Sequence, residues 1–114
     1  MKVTTGVMTN MSSLQGYLDD VSFWELVDIF GEPTERDSAD GKSRVGWSIR
    51  LADSDEKVNI ATIYDWKSDE PINEIRRWNV GGYNTSDFLV LNGYVRDQLE
   101  LIRKGSAIGS DCQV

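Results

Sequence analysis

The stretch VGWSIRLADSDEKVNIATIYDW, residues 45–66, decides the fold. In its first part, Val45–Leu51, apolar residues alternate with polar or small ones, and this period of two is typical of a half-buried strand. Its last part, Val58–Trp66, is rich in β-branched and aromatic residues, which favour strands. The polar run 53–56 between them predicts a turn rather than a metal-binding loop, because it lacks the ligand pattern of an EF-hand. We therefore expect an antiparallel hairpin.

A helix is predicted upstream of the hairpin, over residues 22–30. Ser22 and Glu25 have the spacing of a capping box, and Val21 and Leu26 have the spacing of a hydrophobic staple. The following apolar side chains recur at helical intervals, at Phe23, Leu26, Val27 and Phe30. Gly31 is a good residue for the C-terminal end.

Downstream of the hairpin, Ile75–Val80 predicts a short third strand that the pair Gly81-Gly82 is expected to break. A second helix is predicted to begin at a cap among residues 84–86 and to end at Gly105. Its apolar side would consist of Phe88, Leu91, Val95, Leu99 and Ile102.

Together these elements predict one α+β domain over residues 1–104, with the element order α-β-β-β-α. A three-stranded antiparallel sheet would bury one face under the N- and C-terminal helices. Residues 12–18 are expected to form a helical turn, and residues 1–12 to be irregular or to add a strand. Residues 105–114 are expected to form a flexible tail.

The composition excludes several chemistries. The 114 residues include 19 acidic and 12 basic side chains, no histidine and one cysteine, Cys112. A net charge of −7 argues against direct nucleic-acid binding and against an anionic membrane surface, because both need clustered cations. The absence of histidine excludes Ser-His-Asp and Cys-His catalysis and His-ligated metals. Without a secretory signal or a spanning segment, we expect a cytoplasmic protein with no metal and no cofactor.

The acidic residues are unevenly placed. Residues 19–40 hold eight of the 19 acidic side chains and only one of the 12 basic ones, so the remaining charges cancel. One explanation is a solvated helix face that keeps a small protein soluble. The alternative is an acidic surface that binds a basic partner or imitates a phosphate backbone. The candidate partner-binding residues are Asp19, Asp20, Glu25, Asp28, Glu32, Glu35, Asp37 and Asp40.

A second candidate site combines aromatic, basic and glycine residues of the last two predicted strands. Trp66 and Trp78 would stack a base. Arg76, Arg77 and the Gly81-Gly82 turn before the second helix would hold its phosphate. The alternative explanation is a packed core and a tight turn. The candidate ligand-binding residues are Tyr64, Trp66, Lys67, Arg76, Arg77, Trp78, Gly81 and Gly82.

Four short segments occur in a distinctive order within residues 22–95: FGEPT (30–34), WSI (47–49), ATIYDWK (61–67) and WNVGG (78–82). This order resembles small proteins of unknown function that tailed bacteriophages and prophages encode, with the pattern FGxPT, WxI, ATIYDWK and Wx(I/V)GG. The resemblance carries no catalytic residues. It implies a protein made in the cytoplasm of an infected bacterium, where by analogy small acidic phage proteins bind host factors.

Three hypotheses follow. The first is a non-enzymatic phage accessory protein that binds and inhibits a host protein with a basic surface, such as an antiviral defence component blocked by an anti-CRISPR or similar inhibitor. The second is a small-ligand binder that sequesters a nucleotide signal. The third is a virion structural or assembly protein, in which a sheet edge or the Phe88–Ile102 helix pairs two copies. An enzyme is not expected, because no nucleophile–base arrangement is visible.

Overall fold

The computed structural model describes four stretches of the chain: residues 1–7, 13–37, 41–67 and 69–112, with side chains up to Lys104. They form an α+β domain with an antiparallel sheet and two helices. The elements are β1 (Lys2–Thr5), β2 (Ser13–Leu18), α1 (Phe23–Phe30), β3 (Glu35–Arg36), β4 (Val45–Ala52), β5 (Val58–Tyr64), a 3₁₀ turn (Ile72–Glu74), β6 (Trp78–Gly82) and α2 (Thr85–Cys112).

The six strands of the described residues form one antiparallel sheet in the order β1-β4-β5-β6-β2, and β3 pairs with β4 beside β1. The predicted hairpin is its centre, with Gly46 opposite Tyr64 and Ala52 opposite Val58. The Asp53 carboxylate accepts hydrogen bonds from the N–H groups of Asp55 and Lys57, both at 2.9 Å. These bonds stabilise the predicted turn.

Two fully buried tryptophans attach α1 to the sheet. Trp47 of β4 and Trp78 of β6 pack edge to face, with ring centroids 5.8 Å apart. The Trp47 indole N–H donates to the carbonyl of Gly31, and the Trp78 indole N–H donates to that of Val21, each at 2.9 Å. Val21 lies just before α1 and Gly31 just after it, so the two indoles hold both ends of the helix.

The capping box predicted for α1 is confirmed. The Glu25 N–H donates to the Ser22 hydroxyl oxygen at 3.2 Å, and the Ser22 N–H donates to the Glu25 carboxylate at 3.0 Å. At the other end Gly31 has φ = 86°, a conformation that favours glycine, and its N–H donates to the Val27 carbonyl. The helix therefore begins and ends within one residue of the prediction.

The strand count and element order differ from the prediction. The order is β-β-α-β-β-β-β-α rather than α-β-β-β-α, and the sheet has six strands within the described residues rather than three. Residues 13–18, predicted as a helical turn, form β2, and Lys2–Thr5 forms β1. The β2 strand is hidden in the sequence because a bulge between Leu14 and Gly16 breaks its alternation.

The last predicted strand also differs. Gly81 and Gly82 continue β6, and the strand begins at Trp78 rather than at Ile75. Tertiary packing explains one of these glycines: a Cβ at Gly82 would lie 2.8 Å from the Asp87 Cβ. Helix α2 extends beyond Gly105, where the sequence predicts a stop, to Cys112.

Replacing the capping residue tests the account of α1. We expect Ser22→Ala to lower the free energy of unfolding by about 1 kcal/mol, because it removes the hydroxyl that accepts from the Glu25 N–H. Urea denaturation measures the change. The control is Ser54→Ala in the exposed β4–β5 turn, which should change stability by less than about 0.5 kcal/mol. If Ser22→Ala is as stable as Ser54→Ala, the Ser22 hydroxyl does not stabilise α1.

Candidate functional site

The structure divides the predicted acidic surface into two parts. In the first part, Asp20 and Asp19 pair with Arg76 and Arg77, at 2.5 and 3.0 Å, and Glu25 pairs with Arg103 of α2 at 2.9 Å. We call these six residues the arginine cluster; they are Asp19, Asp20, Glu25, Arg76, Arg77 and Arg103. The cluster joins the β2–α1 connection, the segment before β6, and α2.

The arginine cluster changes the ionisation of its carboxylates. The hydrogen bond from the Arg76 guanidinium, with the charge of Arg103, holds the pKa of Asp20 below its usual value. The hydrogen bond from Arg103 does the same for the pKa of Glu25 and outweighs the opposing effect of burial. The cluster takes its carboxylates from the predicted partner-binding set, and it takes Arg76 and Arg77 from the predicted ligand-binding set. These acidic and basic side chains therefore neutralise one another.

The second part of the acidic run stays exposed. We call residues 28–37 the acidic segment; its carboxylates belong to Asp28, Glu32, Glu35 and Asp37. Glu32 pairs with Arg36 at 3.3 Å, but both are solvent-exposed, and such a pair contributes little. No other described residue forms an ion pair with Asp28. Asp40 lies outside the described residues.

An exposed tryptophan stands beside the acidic segment. Trp24 of α1 is 61% exposed, and it is one helical turn from Asp28 on the side of α1 away from the apolar stripe. Its ring and that of Phe23 pack edge to face, with centroids 5.0 Å apart. The sequence contains the signal for this position, since the stripe beginning at Phe23 leaves Trp24 outside it.

The sheet face away from the helices carries aromatic side chains. One row across the strands is Tyr17, Asn79, Tyr64 and Gly46, in β2, β6, β5 and β4. The Arg77 guanidinium lies 4.0 Å from the centre of the Tyr17 ring. Burial raises the pKa of the Tyr64 hydroxyl, and a hydrogen bond with Asn79 only partly offsets this effect. The sequence does not single out Tyr17, because it predicts a helical turn where the structure has β2.

Trp66 lies two residues beyond Tyr64 along the chain, just after the end of β5. Its ring packs edge-on against Tyr64, with centroids 6.1 Å apart, and it is 43% exposed. The Lys42 and Lys67 ammonium groups lie 5.4 and 5.7 Å from the centre of the same ring. We call this group the aromatic patch; its members are Tyr17, Tyr64, Trp66, Lys42, Lys67 and Arg77.

A buried carboxylate fixes the backbone around Trp66. Asp65, which is 2% exposed, accepts hydrogen bonds from the N–H groups of Arg44 and Val45 at 2.8 and 3.0 Å and from the Arg44 Nε at 3.0 Å. The Lys67 N–H donates to the Lys42 carbonyl at 2.7 Å. Burial alone would raise the pKa of Asp65, but these hydrogen bonds together hold it below its usual value.

The structure corrects the predicted ligand site. Trp78 is a core residue whose indole N–H is already bonded, so its ring is not available to stack a base. Arg76 is bonded to Asp20, and Gly81 and Gly82 are strand residues rather than a phosphate-binding turn. Of the predicted set, Tyr64, Trp66 and Lys67 come together, and Arg77 joins them through Tyr17.

The sequence predicts a phosphate site at the N-terminal end of α2, but a carboxylate of the chain itself lies there. The buried Asp87 carboxylate accepts from the N–H groups of Tyr83 and Asn84, at 2.8 and 3.3 Å, and from the Asn59 amide at 2.8 Å. The Asp87 N–H in turn donates to the Asn84 side-chain oxygen at 3.0 Å. An external phosphate at the start of α2 would therefore meet the Asp87 carboxylate and compete with it for the N–H groups of Tyr83 and Asn84.

Comparison with known families, with curated proteins and with solved structures finds no match to this chain. None of the helices in the described part of the chain has the length and hydropathy that crossing a membrane requires. Within the described stretches, no three potential ligands among Cys, Asp and Glu come together as a metal-binding group. Function is therefore inferred from the exposed surfaces.

The Asp65 carboxylate gives a pH-dependent prediction. Asp65→Asn should lower the free energy of unfolding at pH 7 by about 2–4 kcal/mol, because buried N–H donors lose an ionised acceptor. A lowered pKa in the folded state stabilises the protein above the unfolded pKa, about 3.9, and this stabilisation is lost as the pH falls through the folded value. The difference between the two proteins should therefore shrink below about pH 4.

Denaturation with urea at a series of pH values measures this difference. The matched control is Asp69→Asn, an exposed carboxylate for which we expect less than about 0.5 kcal/mol at every pH. A stability gap between the wild type and Asp65→Asn that does not change between pH 7 and pH 3 would contradict the ionised-acceptor role.

Proposed function

We propose that this chain is a non-enzymatic phage accessory protein that binds and inhibits a host protein in the cytoplasm of an infected bacterium. The target has a basic surface and is a component of antiviral defence, so the chain acts as an anti-CRISPR or similar inhibitor. The phage setting rests on the segment order FGEPT, WSI, ATIYDWK and WNVGG. The binding site rests on one observation: Trp24 is 61% exposed beside the acidic segment.

An exposed tryptophan on a fixed helix suits a binding anchor. Tryptophan is enriched among the few residues that carry most of the binding energy of protein interfaces. The indoles of Trp47 and Trp78 hold both ends of α1, so Trp24 is presented on an element that loses little freedom on binding. The ring contact with Phe23 restricts its orientation further.

The charges around Trp24 favour a basic partner. Asp28 is exposed one turn away, and Glu32 follows the end of the same helix. Glu25 faces the arginine cluster instead, so it contributes less to this surface. Exposed carboxylates at the rim of an interface mainly accelerate association with a cationic surface and select against anionic ones.

The test compares α1 variants in capture from a lysate of the natural host. The wild type should retain one protein in about 50 mM salt and release it in about 300 mM salt, because salt screens exposed charges. Trp24→Ala should reduce the retained amount about tenfold through the loss of the anchor. Asp28→Lys should reduce retention severalfold by repelling the basic surface.

Leu89→Ala is the matched control, because Leu89 is similarly exposed at 59% but lies on α2. It should retain the same protein as the wild type. Thermal unfolding of each variant separates loss of binding from loss of fold. Retention that is unchanged in both Trp24→Ala and Asp28→Lys would rule out this surface as the binding site.

A further inference from the structure

We infer that the aromatic patch on the sheet face is a second binding site, one that takes single-stranded nucleic acid. It is separate from the Trp24 surface, because its rings lie on the sheet face that the helices do not cover. The inference differs from the expectation drawn from the net charge, and it rests on how aromatic rings and cations are placed together on this face.

The rings of the aromatic patch form a stacking surface. Tyr64 and Trp66 are in edge contact at 6.1 Å, and Tyr17 stands two strands away in the same row. Trp66 and Tyr17 are 43% and 38% exposed. Beside Tyr64, a depression of about 210 Å³ opens over Gly46 and Thr62, where small residues leave space. Exposed aromatic rings next to such space can stack on nucleobases, whatever the sequence of the nucleic acid.

Cations lie beside the exposed rings of this face, although the chain is acidic and the face also carries carboxylates. Lys67 lies against Trp66, and register places Arg50 beside Ile60, two rows from Tyr64 on the same face, with Lys2 one row further. No ion pair to Lys2, Arg50 or Lys67 is formed within the described stretches. Glu35 lines the depression beside Tyr64, and Asp53 and Glu56 line a second depression together with Lys2 and Arg50. The cations beside Trp66 are therefore the ones nearest to a base stacked on its ring.

The dimensions fit an extended strand of a few nucleotides. Tyr64 and Ile60 are four residues apart on β5, so the aromatic row and the Arg50 row are separated by about 13 Å. Bases would stack on Tyr64 and Trp66 while phosphates pass Lys67 and Arg50. A duplex hides the faces of its bases, and an acidic peptide offers charge without bases. These two polyanions therefore serve as the comparisons that separate stacking from charge attraction.

The test is fluorescence anisotropy with labelled oligomers of thymidine and of uridine, about twelve nucleotides long, in low salt. We expect the wild type to bind at least one of them, with the affinity falling as salt rises. Trp66→Ala should weaken binding about tenfold, and Trp66→Phe, which keeps a ring, should restore most of it. Lys67→Glu should weaken binding and reduce its dependence on salt. The thymidine and uridine arms distinguish DNA from RNA.

Leu101→Ala, an exposed apolar residue of α2, is the control that should bind like the wild type. Circular dichroism of each variant confirms that the fold is kept. Absence of binding to either oligomer at millimolar concentration would overturn the inference. So would equal binding of Trp66→Ala and the wild type, or equal affinity for a duplex or for polyglutamate, since these results would show attraction to charge alone.

Discussion

The arrangement of the molecule depends on two indole N–H groups. Trp47 and Trp78 bury their rings against each other and donate to the carbonyls of Gly31 and Val21, at opposite ends of α1. A buried polar group without a partner destabilises the fold, so each of these bonds fixes one end of the helix. The orientation of α1 follows from them, and with it the outward direction of Trp24.

Polar side chains then attach the remaining parts around this centre. The arginine cluster joins the acidic connection before α1 to α2, the Asp65 carboxylate fixes the backbone around Trp66, and Asp87 closes the start of α2. Many of the charged side chains in the sequence are therefore bonded within the molecule and are not available to a partner. What remains for partners is an acidic segment near Trp24 and a sheet face with cations beside its exposed rings.

Local signals predicted the local structure well. The capping box at Ser22 and the central hairpin need only neighbouring residues, and both are confirmed. The β2 strand was not predictable, because its bulge disturbs the alternation and its evidence is the pairing with β6. The sequence leaves open whether Trp78 stacks a base or packs in the core, and only the fold shows that its ring is in the core. Trp24 could have been found, since helical spacing places it off the apolar stripe.

The most direct test of this account is hydrogen exchange of the four tryptophan indole N–H groups, measured by nuclear magnetic resonance with ¹⁵N labelling. The account predicts slow exchange for Trp47 and Trp78, whose N–H groups are hydrogen-bonded in the core, and fast exchange for Trp24 and Trp66 at the two surfaces. Single Trp→Phe variants assign the signals. Fast exchange at Trp47 or Trp78, or protection of Trp24 in the free protein, would contradict the central claim.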